Sequence, residues 1–462
     1  MSKTEDIIEN EILKHTNISK EELERKIQEK IEEFGGIIKR EAALIVLAKE
    51  LGIPIPRENF SQQLSALRIK DLAVGFRGID VEGIVISRQP LLKSSAGKEY
   101  LRFALADEND AIWVIAWGEK ALELDPQLKI GQKILLSRAS VRKYRDKKEI
   151  VLDKNSTIRM LENIDTSTIM ELSRKLGFPL TLVEVVKSFS DDTGITLYGY
   201  NNECRPSAVR VLSKDPRLKI SEGDTLLLSN CTINTFDNYS QVTCRPSSYL
   251  QKLDKKQTCF ERDMEEELFI SGILLGYEVF SREGGKIYLL TNTGVKSIVF
   301  FRDELLAEAS NLILRGTLVW GYRKIDDALR EIAYTKLEGG EQIFPAFERN
   351  KRFLEVEGFI ETRANIVSID LNRKCRGAYN LFSIYVTLDD GTSTIKFLSN
   401  SSKILHEVFS LSQEELCDYT NDVIEEIIAY RQDELGGEEA TIRGYISRRQ
   451  RVSFLVEISP TV

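Results

Sequence analysis

The stretch LRFALADENDAIWVIAWGEK, Leu101–Lys120, decides how this chain is read. Side chains alternate across a strand. Ile112, Val114 and Ala116 therefore share one face, and Trp113, Ile115 and Trp117 share the other. The small aliphatic set suits the interior of a narrow barrel, which leaves two tryptophans and an isoleucine facing outward. The DEND turn joins this strand to the alternating run before it, a hairpin signature. Helix-like residues follow at Lys120–Leu124, and a return strand begins after Gly131.

The same succession recurs in KIYLLTNTGVKSIVFFRDE (286–304) and FSIYVTLDDGTSTIKFLSN (382–400), with TNTG and DDGT as turns. An apolar–polar–Gly–apolar–apolar run precedes each hairpin: Val81–Val85, Ile270–Leu274 and Val356–Ile360. Glycine inside a strand marks a bulge or sharp bend, which a barrel's first strand needs where it coils to serve both sides of the closure. In the later copy Glu304–Ala309 is helix-like and Gly316 accompanies the return strand. Strand, hairpin, helix and closing hairpin make the five-stranded OB plan. The expected fold class is therefore mainly β, with tandem five-stranded OB-fold barrels preceded by a small N-terminal helical module. Expected boundaries are 1–57 for the helical module and 65–162 for the first barrel. A second, divergent barrel spans 165–252, with ITLYGYNNECRPSAVRVLSKD as its hairpin and SEGDTLLLSNCTINTFDNYSQVTC as its closing strands. The third spans 264–340 and the fourth 352–462, which carries an inserted helical segment at Ser402–Arg431 and no zinc ribbon.

In the helical module Ser19 stands as an N-cap, with Glu22 at the capping-box spacing. Leu23, Ile27, Ile31 and Phe34 follow at helical intervals before Gly35-Gly36. KREAALIVLAKELGI is a further helix, ended by Gly52, Pro54 and Pro56. A length of 462 residues exceeds one ordinary domain, and 42% hydrophobic content allows each module a core. The N-terminus MSKTEDIIENEIL lacks a basic-then-apolar signal pattern, and no apolar run is long enough to span a bilayer. The expected setting is cytoplasmic and nucleoid-associated, with no membrane contact.

The six cysteines at 204, 231, 244, 259, 375 and 417 show no CxxC pair, and His15 and His406 stand alone. The expectation is reduced, half-buried thiols, no metal and no cofactor. There is no phosphate-binding GxxxxGK[ST] loop and no HExxH, and Asp191-Asp192 and Asp389-Asp390 sit in turns, where carboxylates bind backbone. No catalytic constellation is encoded, so an enzyme is not expected. The net charge of −8 is unusual for a nucleic-acid binder. The charges segregate, however. Acidic residues crowd the N-terminal helices, Glu261–Glu267 and Glu414–Glu439, while basic residues gather in loops.

Two loops of the first barrel stand out. SRQPLLKSSAGKEY carries Arg88, Lys93 and Lys98, and the closing hairpin SVRKYRDKKEI carries Arg142, Lys143, Arg145, Lys147 and Lys148 around Tyr144. Backbone tracking by cations plus stacking on aromatics is how single strands are held. Trp113 and Trp117 face outward beside these loops, either as a stacking platform or as packing against the N-terminal helices or a neighbouring barrel.

The chain resembles archaeal replication protein A, a single-stranded-DNA-binding family with tandem OB folds. The resemblance is clearest in EELERKIQEKIEEFGG, LRIKDLAVGFRGIDVEGIV and AIWVIAWGE. It implies base stacking on Trp117 and on Tyr144, and it puts the family's other stacking aromatic at Leu101, beside Tyr100 and Phe103. In the third barrel it puts Phe300 where Trp117 sits, with Lys296 on the same face and Tyr322 and Arg323 in the closing region. In the second, Leu212 takes the platform position and Phe236 matches Tyr144, with Tyr239 and Arg210 as helpers. In the last, Asn400 replaces the aromatic, Phe397 has core parity, and only Cys375 remains of the family's zinc ribbon. There the apolar residues Leu405, Val408, Phe409 and Leu416 are core or a partner surface, and Arg448, Arg449 and Arg451 form a basic patch. The implied role is to bind and protect single-stranded DNA in replication, recombination and repair. Implied partners are replication and repair proteins docking on the N-terminal helices or the fourth barrel, and other subunits of a replication protein A complex. An RNA-binding OB protein and a protein-binding OB scaffold are the alternatives.

Overall fold

The computed structural model describes every residue except 1–2, 17, 35, 37, 54–66, 213–218, 237–238, 255–258, 260–267, 326–327, 377–378, 449–450 and 461–462. Gly35, Pro54, Pro56, Glu261–Glu267 and Arg449 lie outside the described residues. The chain divides into two units, residues 1–181 with 228–230 and 247–251, and residues 182–227, 231–246 and 252–462.

Three helices, α1 (Lys3–His15), α2 (Lys20–Glu33) and α3 (Arg40–Glu50), share a core of Ile8, Ile12, Leu23, Ile27, Leu44 and Leu47. Ser19 caps α2, its hydroxyl accepting from the Glu22 N–H at 3.2 Å. The first barrel follows as β1 (Arg77–Arg88), β2 (Leu92–Lys93), β3 (Glu99–Ala106), β4 (Ala111–Trp117), helix α4 (Glu119–Leu124), β5 (Gln132–Tyr144), β6 (Lys147–Leu152) and β7 (Thr157–Asn163). Its ring order is β1-β3-β4-β6-β5, and β1 pairs with β5 to close it. Helix α5 (Thr166–Lys175) leads out.

The second barrel comprises β8 (Leu180–Asp191), β9 (Gly194–Asn201), β10 (Pro206–Val211), β11 (Thr225–Ser229), β12 (Thr232–Phe236), β13 (Tyr239–Cys244) and β14 (Tyr249–Leu253), in the order β12-β13-β10-β9-β8-β11-β14. The third is a closed ring of β15 (Phe269–Val279), β16 (Gly285–Thr291), β17 (Gly294–Phe300), β18 (Arg315–Ile325) and β19 (Ala328–Gln342), with α6 (Asp303–Ser310) after β17. The fourth comprises β20 (Glu348–Arg349), β21 (Gly358–Arg376), β22 (Tyr379–Asp389), β23 (Thr394–Ser399), β24 (Glu439–Ser447) and β25 (Val452–Pro460), closed by β21–β24 pairing. The OB strand order holds in each.

One backbone device repeats in all four. The first strand slips register at Val85/Ser87, Val185/Lys187, Leu274/Gly276 and Ile366/Ser368. The carbonyl at each slip accepts from the residue that opens the fourth strand. Gly131, Gly223, Leu314 and Gly437 donate to Val85, Val185, Leu274 and Ile366 at 2.8, 2.7, 2.7 and 2.7 Å. All four donors have positive φ, between 59° and 93°. The bulge bends the first strand, and the left-handed turn returns the chain to it. The fourth strand has a further left-handed residue, Arg138 or Gly321 at a slip in its pairing, and Asn230 between β11 and β12.

Gly83 and Gly272 do sit where the first strand changes partner. A Cβ there would lie 2.8 Å from the Ala106 carbonyl oxygen and 2.6 Å from that of Leu290. Gly358 does not. It opens β21, and the change of partner falls at Asn365, so the third copy of the glycine pattern is a chance match. Likewise the counterpart of Gly131 is Leu314, not Gly316.

Two further expectations are corrected. Ser402–Arg431 is not one helix but α7 (Ser402–Phe409), a 3-10 turn at Glu415–Cys417, and α8 (Asn421–Leu435). Left-handed Ser410 ends α7, and Leu405, Val408, Phe409 and Leu416 are all core. The cysteines are not thiols. They form Cys204–Cys259, Cys231–Cys244 and Cys375–Cys417 disulfides. Spacing along the chain hid these pairs, because the barrel topology is what brings the partners together.

Candidate nucleic-acid interface

In the first barrel β3 and β4 are paired so that Tyr100 lies opposite Trp117 and Arg102 opposite Ile115. Leu101 and Phe103, one residue out of phase, are fully buried in the core with Val114 and Ala116. The aromatic neighbour of Trp117 is therefore Tyr100, not a residue at the Leu101 position. The two rings lie 5.3 Å apart at 41°. Lys98 Nζ sits 5.9 Å from the Trp117 ring. At this corner a tilted aromatic pair, half-exposed, meets a cation from the loop between β2 and β3.

Trp113 is placed differently. Its ring lies edge-on to Phe178 at 5.4 Å and beneath the Arg102 guanidinium at 4.5 Å. Leu172 and Leu176 of the α5 segment pack in the same cluster. Trp113 thus serves as packing beneath α5, while Trp117 is left at the rim. Glu149 is buried between two cations, receiving 2.7 Å from Arg142 Nε and lying 3.7 Å from Arg102.

The hairpin between β5 and β6 turns at Arg145 and Asp146, with φ of 46° and 64°, a type I′ geometry that suits the twist of the strands. Tyr144 is 43% exposed beside it, with Arg142 and Arg145 at 5.9 and 5.4 Å from its ring. Arg145 and Lys147 are exposed. Lys143 pairs with Asp146 at 2.8 Å, and Lys148 donates to the Leu72 carbonyl at 2.9 Å, which tethers the hairpin base. Lys93 is exposed, 3.6 Å from Glu99.

Arg88 is a correction. It does not reach into the loop but is 1% exposed, donating to the Asp125 carboxylate at 2.5 Å and to the Leu128 carbonyl, and lying over the Tyr249 ring at 4.1 Å. The bulge at Val85/Ser87 rotates the end of β1 and turns this side chain inward.

In the third barrel Phe300 is also a correction. It is fully buried with Ile287, Leu289 and Ile298. The residue just before the helix N-cap is Trp117 in the first barrel, where Gly118 caps α4, and Phe301 in the third, where Arg302 caps α6. Phe301 is 52% exposed. Both the cap position and the core parity with Ile298 put Phe301, not Phe300, at the place of Trp117. On this face Lys286 lies opposite Val299, Val299 opposite Arg330, and Arg330 opposite Arg323. Arg323 lies 4.8 Å from the ring of Phe236 of the second barrel, which is 36% exposed. A row of three cations thus ends on an aromatic. Tyr322, one residue out of phase with that row, is half-buried opposite Glu331, and Lys296 is exposed at the other end of β17.

Tyr239 is 4% exposed, a further correction. Tyr198, Tyr200 and Tyr239 of the second barrel pack with Trp320 and Ile332 of the third, so strand parity there yields a barrel–barrel contact rather than a free platform. Arg210 is held by Asp191 at 2.6 Å and Thr196 at 2.7 Å. Leu212 is 40% exposed. Hydrogen bonding from Arg210, opposed by burial, holds the Asp191 carboxyl far below its ordinary range. In the fourth barrel Asn400 is buried and bridges the Tyr277 N–H at 2.7 Å and the Phe382 carbonyl at 2.6 Å. Leu398, Tyr445 and Phe454 pack against Leu275 and Tyr288 of the third barrel, and Phe397 is core. Among the described residues no group of three or more His, Cys, Asp or Glu is arranged to hold a metal ion. Among them, too, no helix is long and apolar enough to cross a membrane.

No family model and no curated protein matches this sequence. Among solved structures, a replication protein A heterotrimer bound to ssDNA is similar over 86% of this chain and 96% of its own, at 10% identity and a TM-score of 0.32. Fission yeast Pot1 with ssDNA matches 43% of this chain and 91% of its own, at 14% identity and 0.19. A replication factor A related protein from Methanobacterium thermoautotrophicum matches 22% of this chain and 96% of its own, at 19% identity and 0.19.

Proposed function

We propose that this protein binds and protects single-stranded DNA, in replication, recombination and repair, and performs no catalysis. The observation that carries the reading is the rim of the first barrel. There the Tyr100–Trp117 pair stands beside Lys98, and the hairpin tip carries Tyr144 between Arg142 and Arg145. Bases stack on such rings at about 1–3 kcal/mol each, and the lysines and arginines neutralise the backbone and release counterions. The row Lys286–Arg330–Arg323 with Phe236 and Phe301 offers the third barrel the same two ingredients. Stacking tolerates either sugar, so the choice of DNA over RNA rests on contacts to the 2′-position.

Competition between oligothymidine, matched RNA and duplex DNA tests this. Preference for oligothymidine supports the proposal. Equal affinity for all three contradicts it, and absence of binding at low salt favours a protein-binding scaffold instead.

A further inference from the structure

We infer that the helical insertion of the fourth barrel is a docking groove for a basic amphipathic helix of a partner protein. Helix α8 is apolar on two adjoining stripes. Ile424, Ile427, Ile428 and Leu435 pack on the barrel core, and Val423 and Tyr430 flank Ile427 at helical spacing along the outer edge. That outer edge is left outside. Val423 is 36% and Tyr430 68% exposed. Together with Phe409 and Leu411 it lines a groove of about 550 Å³ between α7 and α8. That is the size of a pocket that receives several side chains, and helix-in-groove recognition uses anchors at this spacing.

Charge settles the occupant. Residues 414–439 hold ten carboxylates and one cation, Arg431. Arg431 is already committed, donating to the Val408 carbonyl at 2.6 Å, to the Glu407 carbonyl at 2.9 Å and to Glu434. Glu426 on the groove edge is exposed and has no ion-pair partner among the described residues. Such a rim repels phosphate, which excludes nucleic acid, and attracts lysine and arginine flanking an apolar stripe. Tyr430 has the character of an interface anchor, a large ring with a polar tip. The basic loops and the acidic groove thus serve different ligands, and the groove does not depend on the nucleic-acid reading.

The test uses the full chain and a fluorescent leucine–lysine helical peptide of about 18 residues, with a scrambled peptide of identical composition. The expected result is binding of the helical peptide, at least about tenfold weaker in Tyr430→Ala and in Glu426→Lys, and weakened by raising salt from about 0.1 to about 0.5 M. Far-UV circular dichroism and melting check that each variant folds, and oligothymidine affinity should be unchanged in both. Equal binding of the scrambled peptide, equal binding by the variants, or no binding overturns the inference. So does sedimentation showing that wild type self-associates and Tyr430→Ala does not, because the occupant is then a second copy.

Discussion

Trp117 and Phe301 occupy the position before a helix N-cap, whereas Phe300 and Arg88 are core. Substitutions separate these roles. Trp117→Ala should weaken oligothymidine binding by about 1–3 kcal/mol without lowering the melting temperature. Arg88→Met should leave affinity unchanged but destabilise the fold by about 3–5 kcal/mol, because it breaks a buried ion pair with Asp125. Phe300→Ala should cost a similar amount, about 3–5 kcal/mol, through a core cavity, while Phe301→Ala affects binding alone. Titration and thermal melting of the four variants read both effects. These residues also mark what sequence makes legible. Strand alternation in AIWVIAW placed Trp117 and the core trio correctly. The loop reading failed at Arg88, where a bulge rotates the end of β1, and the family position failed at Phe300-Phe301, where it slipped by one residue. Tyr100 was visible only as a neighbour of Leu101, because its place beside Trp117 comes from the pairing across the sheet.

Among the elements, the turn that opens each fourth strand and the paired cysteines carry most of the stability logic. Gly223 has a φ of 86° with open space around its Cα, so Gly223→Ala should cost about 1–2 kcal/mol from backbone strain alone, measured by denaturant unfolding. The Cys204–Cys259 bridge spans 55 residues, and removing it should cost about 2–4 kcal/mol. Thiol titration of the unreduced, denatured protein should find no free cysteine. Asp191 gives a pH dependence with a definite sign. Its folded carboxyl titrates far below the unfolded one through Arg210. The stability it contributes is therefore full above the unfolded value, about pH 4, and is lost progressively as pH falls below it. Asp191→Asn should be less stable at neutral pH and flatter toward acid. The bulges and their glycine partners were only partly legible, because the carbonyl that accepts each hydrogen bond lies far away in sequence. The disulfides were not legible for the same reason.

On the scale of the whole molecule, a net charge of −8 coexists with local basic surfaces. The mainly β, tandem-barrel architecture was visible from repeated hairpins, but the burial of the second and fourth barrels' outer faces was not. Strand parity shows which side chains face outward, not what covers them. Lys93, Lys98, Arg145 and Lys147 are exposed in the first barrel. At ~0.7 per phosphate contact on a single strand, four contacts give a log–log salt slope of about −3. The most direct test of the central claim is an oligothymidine titration of wild type and the Trp117→Ala/Tyr144→Ala double variant at several salt concentrations. The account predicts salt-weakened binding by wild type and a loss of about 2–6 kcal/mol in an otherwise stable double variant. Undiminished binding by that variant would contradict stacking on the first barrel's rim.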